Sequence, residues 1–152
     1  GDVLKIRPAT VNDWASLYAW RNDPDTRAAS TTTGEVALAD HMKWLAAELR
    51  KDTPGLYVAY DAARDVVVGT GRLDVVNKST REVSLTVDPA QRGHGYGVQI
   101  VAALALTLGA DVTVLRAKVR TGNMASLRAF ADNDYLPKSY TADGFVLLER
   151  AR

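Results

Sequence analysis

The chain has 152 residues, which is enough for one domain with a sizeable core. Lysine and arginine number 19 against 18 aspartate and glutamate, and a net charge of +1 argues against a nucleic-acid or membrane partner held by electrostatics. Without cysteine there is no disulfide, thiolate metal site or cysteine nucleophile, and the two histidines, His41 and His94, are too distant in sequence to suggest a metal site.

The hydropathy pattern shows neither a membrane span nor a signal peptide. No apolar run is as long as a membrane span, and the N-terminus lacks the basic-then-apolar order of a signal peptide. We therefore expect a cytoplasmic protein with no membrane partner and no nucleic-acid partner.

The first part of the chain predicts one strand and two helices. Alternating residues 3–7 end at Pro8 and predict a strand, and a helix follows from Thr10 to about residue 21. Residues 26–34 are small and polar and predict a loop. Apolar residues at helical spacing predict a second helix over 38–51.

The remaining elements alternate between strands and helices. Short turns join three strands that should form an antiparallel meander, at 56–60, 66–75 and 81–87. Beyond residue 97 the pattern predicts a helix, a strand, a helix and a final hairpin, at 98–106, 112–119, 123–133, 135–140 and 145–149.

A glycine-rich segment links the third meander strand to the following helix. Gly93, Gly95 and Gly97 alternate there, so backbone N–H groups at a helix N-terminus can closely approach a ligand. Strand, glycine loop and helix together predict a phosphate cradle. The segment lacks the Lys-Ser/Thr ending of a Walker loop and the G-x-G-x-x-G spacing of dinucleotide folds.

The pattern Arg92-x-x-Gly95-x-Gly97 after Val87-Asp88-Pro89 resembles the pyrophosphate loop of the Gcn5-related N-acetyltransferases, the GNAT superfamily. The element order β-α-α-β-β-β-α-β-α-β-β also resembles that fold, over residues 1–152 as a single domain. The resemblance implies an α+β fold with a mixed, mostly antiparallel sheet and helices on both faces. It further implies acetyl-CoA as acyl donor, no metal, and direct attack by a primary amine in a ternary complex.

The resemblance also implies where the cofactor lies. In GNATs the strand before the loop splays away from the strand after the loop helix, here 83–87 and 112–119, and acetyl-CoA occupies the wedge. Asn123 begins an N-x-x-[AS] motif that closes the site, although it is equally a helix N-cap. The Arg92 side chain either contacts phosphate or points to solvent, and we expect the side chains of His94 and Tyr96 at the surface. The implied cofactor contacts are Leu85, Val87, Arg92, Gly93, His94, Gly95, Tyr96, Gly97, Val98, Asn123 and Ser126.

The reaction that the resemblance implies needs two proton transfers, one to the CoA thiolate and one from the amine. Many GNATs carry a tyrosine that protonates the CoA thiolate where this chain has Phe130, which has no proton to give. For the amine proton, Glu82 lies on the strand before the loop, where many GNATs place a carboxylate base; alternatively it is a surface charge paired with Arg81 or Arg72. His41 is the second candidate, with packing beside Trp44 as its alternative.

The acceptor is expected to contact the N-terminal helices. Trp20, Arg21, Asn22 and Arg27 resemble the corresponding region of GNATs that acetylate nucleotide-linked amino sugars or ribosomal proteins. Stacking and phosphate-binding groups favour the amino sugar, and a protein N-terminus is the alternative. A CoA-binding sensor that has lost catalysis stays open because of Phe130. In every enzymatic case the partner is an amine acceptor, and the chain is a monomer or homodimer.

Overall fold

The computed structural model describes residues 4–30 and 33–152. Val3 of the first predicted strand and Thr31 and Thr32 of the predicted loop lie outside these ranges. The described residues form seven strands, namely β1 (Leu4–Pro8), β2 (Leu56–Asp61), β3 (Val66–Asn77), β4 (Thr80–Val87), β5 (Val114–Arg120), β6 (Leu136–Tyr140) and β7 (Phe145–Ala151). They also form five α-helices, namely α1 (Trp14–Asn22), α2 (Pro24–Ala29), α3 (Leu38–Leu49), α4 (Tyr96–Ala105) and α5 (Met124–Ala131).

The strands form one mixed sheet in the order β1-β2-β3-β4-β5-β7-β6. Every neighbouring pair is antiparallel except β4 and β5, which run parallel because α4 connects them as a crossover. This arrangement confirms the predicted α+β class. No helix in the described ranges is long and apolar enough to cross a membrane.

Helices cover both faces of the sheet, as predicted. On one face α4 and α5 bury Ile100, Leu104 and Phe130 in a core with the strands. Gly71 on β3 permits this close packing, since a Cβ there would come within 2.8 Å of Leu104 Cδ1. On the other face α1 and α3 bury a second, smaller core against β2 that contains Leu17, Trp20, Leu45, Leu56 and Val58.

The predicted loop over 26–34 is wrong in its first part, because α2 spans Pro24–Ala29. Asp23 caps this helix: its Oδ2 accepts hydrogen bonds from the Thr26 N–H at 3.0 Å and the Thr26 hydroxyl at 3.1 Å. Pro24 stands at the first helical position, where its missing N–H costs nothing. Aspartate followed by proline therefore ends α1 and starts a new helix, and the element order gains one member.

The β4–β5 pairing breaks off early. Only Thr80, Arg81 and Glu82 pair with β5, the last of them opposite Arg116. Both strands continue beyond this point, to Val87 and Arg120, so a wedge opens between them. The splayed strands that the GNAT resemblance implies are thereby confirmed, and their unpaired backbone groups face a ligand-sized gap.

Candidate active site

A cavity of about 970 Å³ runs from the glycine loop through the wedge to the N-terminal helices. Gly93, Gly95 and Gly97 line its loop end, and Arg21, Trp44 and Arg72 are among the residues at its opposite end. The volume lies within the range of small-molecule and cofactor sites. One continuous space therefore joins the predicted cofactor cradle to the predicted acceptor region.

The glycine loop has the geometry that a phosphate cradle needs. Gly93 and Gly95 adopt φ values of +85° and +74°, which favour glycine, and α4 starts at the next residue, Tyr96. A Cβ built at either glycine would meet no protein atom within 4 Å, so the backbone there is open to a ligand. Together with the amide groups of the first helical turn, this loop fits a pyrophosphate.

The Arg92 guanidinium is directed at α2, which is neither of the two predicted outcomes. It lies 3.2 Å from Asp23 Oδ2, 3.3 Å from Asp25 Oδ2 and 3.3 Å from Thr26 Oγ1. Burial alone would raise the pKa of Asp23, but the hydrogen bonds from Thr26 and Arg92 outweigh it and lower that pKa. Arg92 thus ties the glycine loop to the helix on the acceptor side.

The expected surface position is found for His94 and is wrong for Tyr96. His94 is exposed and does not line the cavity, and its ring lies 5.6 Å from that of Tyr96. The Tyr96 side chain is buried; its hydroxyl donates to Asp61 Oδ2 at 2.7 Å and accepts from Arg64 Nη1 at 2.8 Å. The hydrogen bond from the Tyr96 hydroxyl is the main reason that the pKa of Asp61 is lowered. Tyr96 therefore anchors the start of α4 to the end of β2.

Helix α5 closes the other side of the wedge. Asn123 Oδ1 accepts a hydrogen bond from the Ser126 N–H at 3.2 Å, which confirms the N-cap, and both residues line the cavity. Phe130 also lines it and packs edge-on against Tyr135 at 4.9 Å. Burial raises the pKa of Tyr135 to about 12, and its hydroxyl has no hydrogen-bond partner within the described ranges. Asp134 takes the left-handed conformation, φ 67°, that aspartate tolerates.

Glu82 stands where the wedge opens and lines the cavity. Its Oε1 accepts from Arg116 Nε at 3.3 Å, and its side chain is 36% exposed. The expected alternative partners are wrong: Arg72 pairs with Asp74 at 3.0 Å, and Arg81 donates to backbone carbonyls. The parallel register placed Arg116 beside Glu82, and that register could not be deduced from the sequence.

His41 is fully buried between the rings of Tyr18 and Trp44, at 5.1 and 5.6 Å, and does not line the cavity. Burial lowers its pKa, the Arg21 guanidinium lowers it further, and the Trp14 carbonyl acts in the opposite direction. The packing alternative therefore describes His41, and its candidacy as a base is corrected.

Two of the four predicted acceptor residues are occupied elsewhere. Asn22 Nδ2 donates to the Val36 carbonyl at 3.0 Å, and its Oδ1 accepts from the Val36 N–H at 2.7 Å. Arg27 donates to the carbonyls of Asn22 and Thr33, at 3.2 and 3.5 Å. Neither residue lines the cavity. Both hold the connection between α2 and α3, so the structure corrects their assignment to the acceptor.

The other two predicted acceptor residues, Trp20 and Arg21, reach one end of the cavity, which Arg21 and Arg72 make basic. Trp20 reaches the cavity but is only 6% exposed and belongs to the core. The guanidinium carbon of Arg21 lies 4.7 Å from the Trp44 ring centroid, and that of Arg72 lies 5.9 Å from it. Burial and the nearby Arg72 lower the pKa of Arg21. Among residues 4–30 and 33–152, Arg21 forms no ion pair with a carboxylate.

Arg72 and Lys118 also line the cavity, although they were not among the predicted site residues. The available signal was strand alternation, because Arg72 pairs with Ser84 in the β3–β4 register and Ser84 shares a face with Glu82. For Lys118 the parallel β4–β5 register was needed as well.

Comparisons with known proteins agree with this geometry. The model of the acetyltransferase (GNAT) domain matches residues 4–135. Two proteins named L-methionine sulfoximine/L-methionine sulfone acetyltransferase, from Pseudomonas paraeruginosa and Pseudomonas aeruginosa, are 36% and 35% identical over 129 residues. In each case the match covers 80% of this chain and 74% of the relative.

Solved structures share the fold at lower sequence identity. The spermidine N-acetyltransferase from Vibrio cholerae, in complex with CoA and spermine, has a TM-score of 0.89 at 11% identity, covering 99% of this chain and 96% of that one. An aminoglycoside acetyltransferase in complex with coenzyme A has a TM-score of 0.81 at 19% identity, covering 98% and 95%. At these identities the likeness establishes the fold alone.

Proposed function

The chain belongs to the GNAT acetyltransferase family and is an acetyl-CoA-dependent N-acetyltransferase, and we propose that its acceptor is the α-amine of a small amino acid. The observation that carries this proposal is the pair of guanidinium groups, Arg21 and Arg72, that both approach the Trp44 ring in the cavity. The relatives named for methionine sulfoximine and methionine sulfone support the same acceptor class.

A carboxylate is the group that this basic end of the cavity would bind. The two guanidinium groups repel each other, because after burial the charge of Arg72 is the next cause that lowers the pKa of Arg21. Of these two arginines, Arg72 has a carboxylate partner, Asp74, within the described ranges and Arg21 has none. An α-carboxylate between them relieves the repulsion and accepts charge-assisted hydrogen bonds from both. A partly buried position strengthens that attraction relative to water.

Acetyl-CoA fits the opposite end of the cavity. The N–H groups of residues 92–98 would hold the pyrophosphate, the backbone of Leu85 and Val87 would bind the pantetheine arm, and Asn123 and Ser126 would flank it. When bound, acetyl-CoA supplies an acetyl thioester that an amine attacks directly. The open space at Gly93 and Gly95 and the wedge beside β4 support this assignment.

Glu82 is the proposed general base. A protonated amine has no lone pair, so its proton must leave before or during attack. Glu82 lies on the acceptor-facing side of β4, and Arg116 engages only Oε1, so Oε2 has no partner within the described ranges. Since Phe130 cannot donate a proton, the thiolate takes one from solvent or from the protonated Glu82.

The amino-sugar acceptor loses much of its support. It depended on Trp20, Arg21, Asn22 and Arg27 as binding groups. Trp20 is core, and Asn22 and Arg27 are bonded within the chain, so only Arg21 keeps a place in the cavity. A protein N-terminus depended on the same residues. In a protein acceptor, the residue that carries the amine has its α-carboxyl group in a peptide bond, so it offers no α-carboxylate to Arg21 and Arg72.

Free-thiol release from acetyl-CoA tests the acceptor. We expect methionine sulfone to be acetylated with a kcat/KM at least tenfold above that of its carboxamide, of a short peptide and of a UDP-linked 4-amino sugar. Arg21→Met and Arg72→Met should each raise KM for methionine sulfone about tenfold or more, roughly 1.4 kcal/mol, and change KM for the carboxamide little. Equal use of the carboxamide, or faster turnover of the sugar, would contradict the proposal.

A further inference from the structure

Lys118 is a cavity residue that the proposed reaction does not use. It lies on β5 with an exposed side chain, and its Nζ is 4.6 Å from the Phe145 ring centroid. It forms no ion pair with a carboxylate among residues 4–30 and 33–152. Arg120, which contacts the same ring at 4.5 Å, instead donates to the Ser30 carbonyl at 2.7 and 3.1 Å. The exposed Asp143, whose pKa is lowered mainly by its hydrogen bond with Thr141, also feels the Lys118 charge through space. Lys118 therefore brings to the cavity a positive charge that is not held in a direct ion pair.

The registers place Lys118 level with the proposed carboxylate site. Arg72 on β3 pairs with Ser84 on β4, and the parallel pair Glu82–Arg116 puts Lys118 at the level of Ser84 on β5. All three residues of this row line the cavity. Two strand spacings of about 4.8 Å set the Cα separation of Arg72 and Lys118 at roughly 10 Å or more, since β4 and β5 have already diverged.

Because the long side chains of Arg72 and Lys118 both project from the same face of the sheet into the cavity, their charged ends can approach a small molecule that carries an anionic group at each end. In an amino acid with a two-methylene side chain, the carboxylate carbon and the tail atom are about 5 Å apart. With one hydrogen bond of about 3 Å at each end, the two donor nitrogens that bind such a molecule would be roughly 11 Å apart. Glu82 lies two residues from Ser84 on the same face of β4, so the amine between the two ends can reach the proposed base.

We propose that Lys118 binds an anionic tail of the acceptor and so makes the enzyme selective for amino acids whose side chain ends in an oxyanion. This inference rests on the proposed function, because it takes the α-carboxylate to lie between Arg21 and Arg72. A charged tail oxygen receives a charge-assisted hydrogen bond from the ammonium group, whereas a neutral sulfone oxygen receives a weaker one. The expected substrate preference of this chain therefore differs from the substrates in its relatives' names, methionine sulfoximine and methionine sulfone, whose side chains end in uncharged groups.

L-Homocysteate and L-methionine sulfone form a matched pair of acceptors, because a sulfonate oxygen in the first replaces the sulfone methyl group in the second. We expect the wild-type protein to favour homocysteate at least tenfold in kcat/KM at saturating acetyl-CoA, mainly through KM. Lys118→Met should bring the two values within about twofold of each other, and Lys118→Arg should keep the preference. Lys138→Met, on exposed β6 and away from the cavity, is the control and should behave as wild type.

The possible results separate the two proposals. Acetylation of both amino acids with equal kcat/KM, or a preference that survives in Lys118→Met, would overturn the role of Lys118 and leave the amino-acid acceptor intact. Failure to acetylate either amino acid would refute the amino-acid acceptor and this inference with it. Calorimetric CoA affinity should be unchanged in Lys118→Met; a loss there would assign Lys118 to the cofactor instead.

Discussion

A valine at Gly95 should weaken CoA binding at least tenfold while leaving the protein folded. Gly95 has φ +74°, and left-handed geometry costs an L-residue about 1–2 kcal/mol, more when it is β-branched. A Cβ there meets no protein atom within 4 Å, so this backbone strain is the whole expected stability cost. The added side chain projects into the space proposed for the pyrophosphate. A tenfold loss of affinity corresponds to about 1.4 kcal/mol.

Gly144 provides a matched control. It has φ +92° and equally open surroundings, but it lies in the β6–β7 hairpin and does not line the cavity. Gly144→Val should therefore lower the free energy of unfolding about as much as Gly95→Val and leave CoA affinity unchanged. Isothermal titration calorimetry with CoA, together with chemical unfolding of both variants, measures the two effects. Wild-type CoA affinity in a folded Gly95→Val protein would refute the cradle assignment.

Two further predictions concern proton transfer and the anchoring of α4. Glu82→Gln should lower kcat roughly 100-fold at unchanged CoA affinity; a drop of less than about threefold in steady-state assays would remove Glu82 as the base. Tyr96→Phe should lower the unfolding midpoint at neutral pH, because it removes the buried hydrogen bond to Asp61. The pKa of Asp61 is lowered in the folded protein, so this stabilisation is complete above the ordinary aspartate pKa of about 4 and is lost as pH falls through the lowered value. Urea unfolding measures the free energy of unfolding of both proteins. The difference in this free energy between wild type and Tyr96→Phe should shrink as pH falls below about 4. A difference that stays constant with pH would contradict the prediction.

The sequence was sufficient for most of the fold because its local signals agree with one another. Alternation, short turns and the glycine loop each marked an element that the structure contains. Helix α2 was missed because its six residues are too few for hydrophobic periodicity, and only the Asp23-Pro24 cap announces it. A short helix that depends on its cap is difficult to distinguish from a polar loop.

The site was less predictable because tertiary contacts decide where polar side chains point. Tyr96 appeared to be a loop residue, and its buried bond to Asp61 depends on the end of β2, 35 positions away. His41 had the residue type of a base, but the rings around it exclude it from the cavity. Arg72 and Lys118 appeared to be ordinary strand charges until the sheet registers aligned them.

A crystal structure of the protein with CoA and methionine sulfone would show directly where the cofactor and the acceptor bind. We expect the pyrophosphate on the backbone N–H groups of residues 92–98 and the acceptor carboxylate between the guanidinium groups of Arg21 and Arg72. The amine should face Glu82 across the mouth of the wedge. A carboxylate bound away from both arginines, or an amine out of reach of Glu82 and of any water that Glu82 holds, would contradict this expectation.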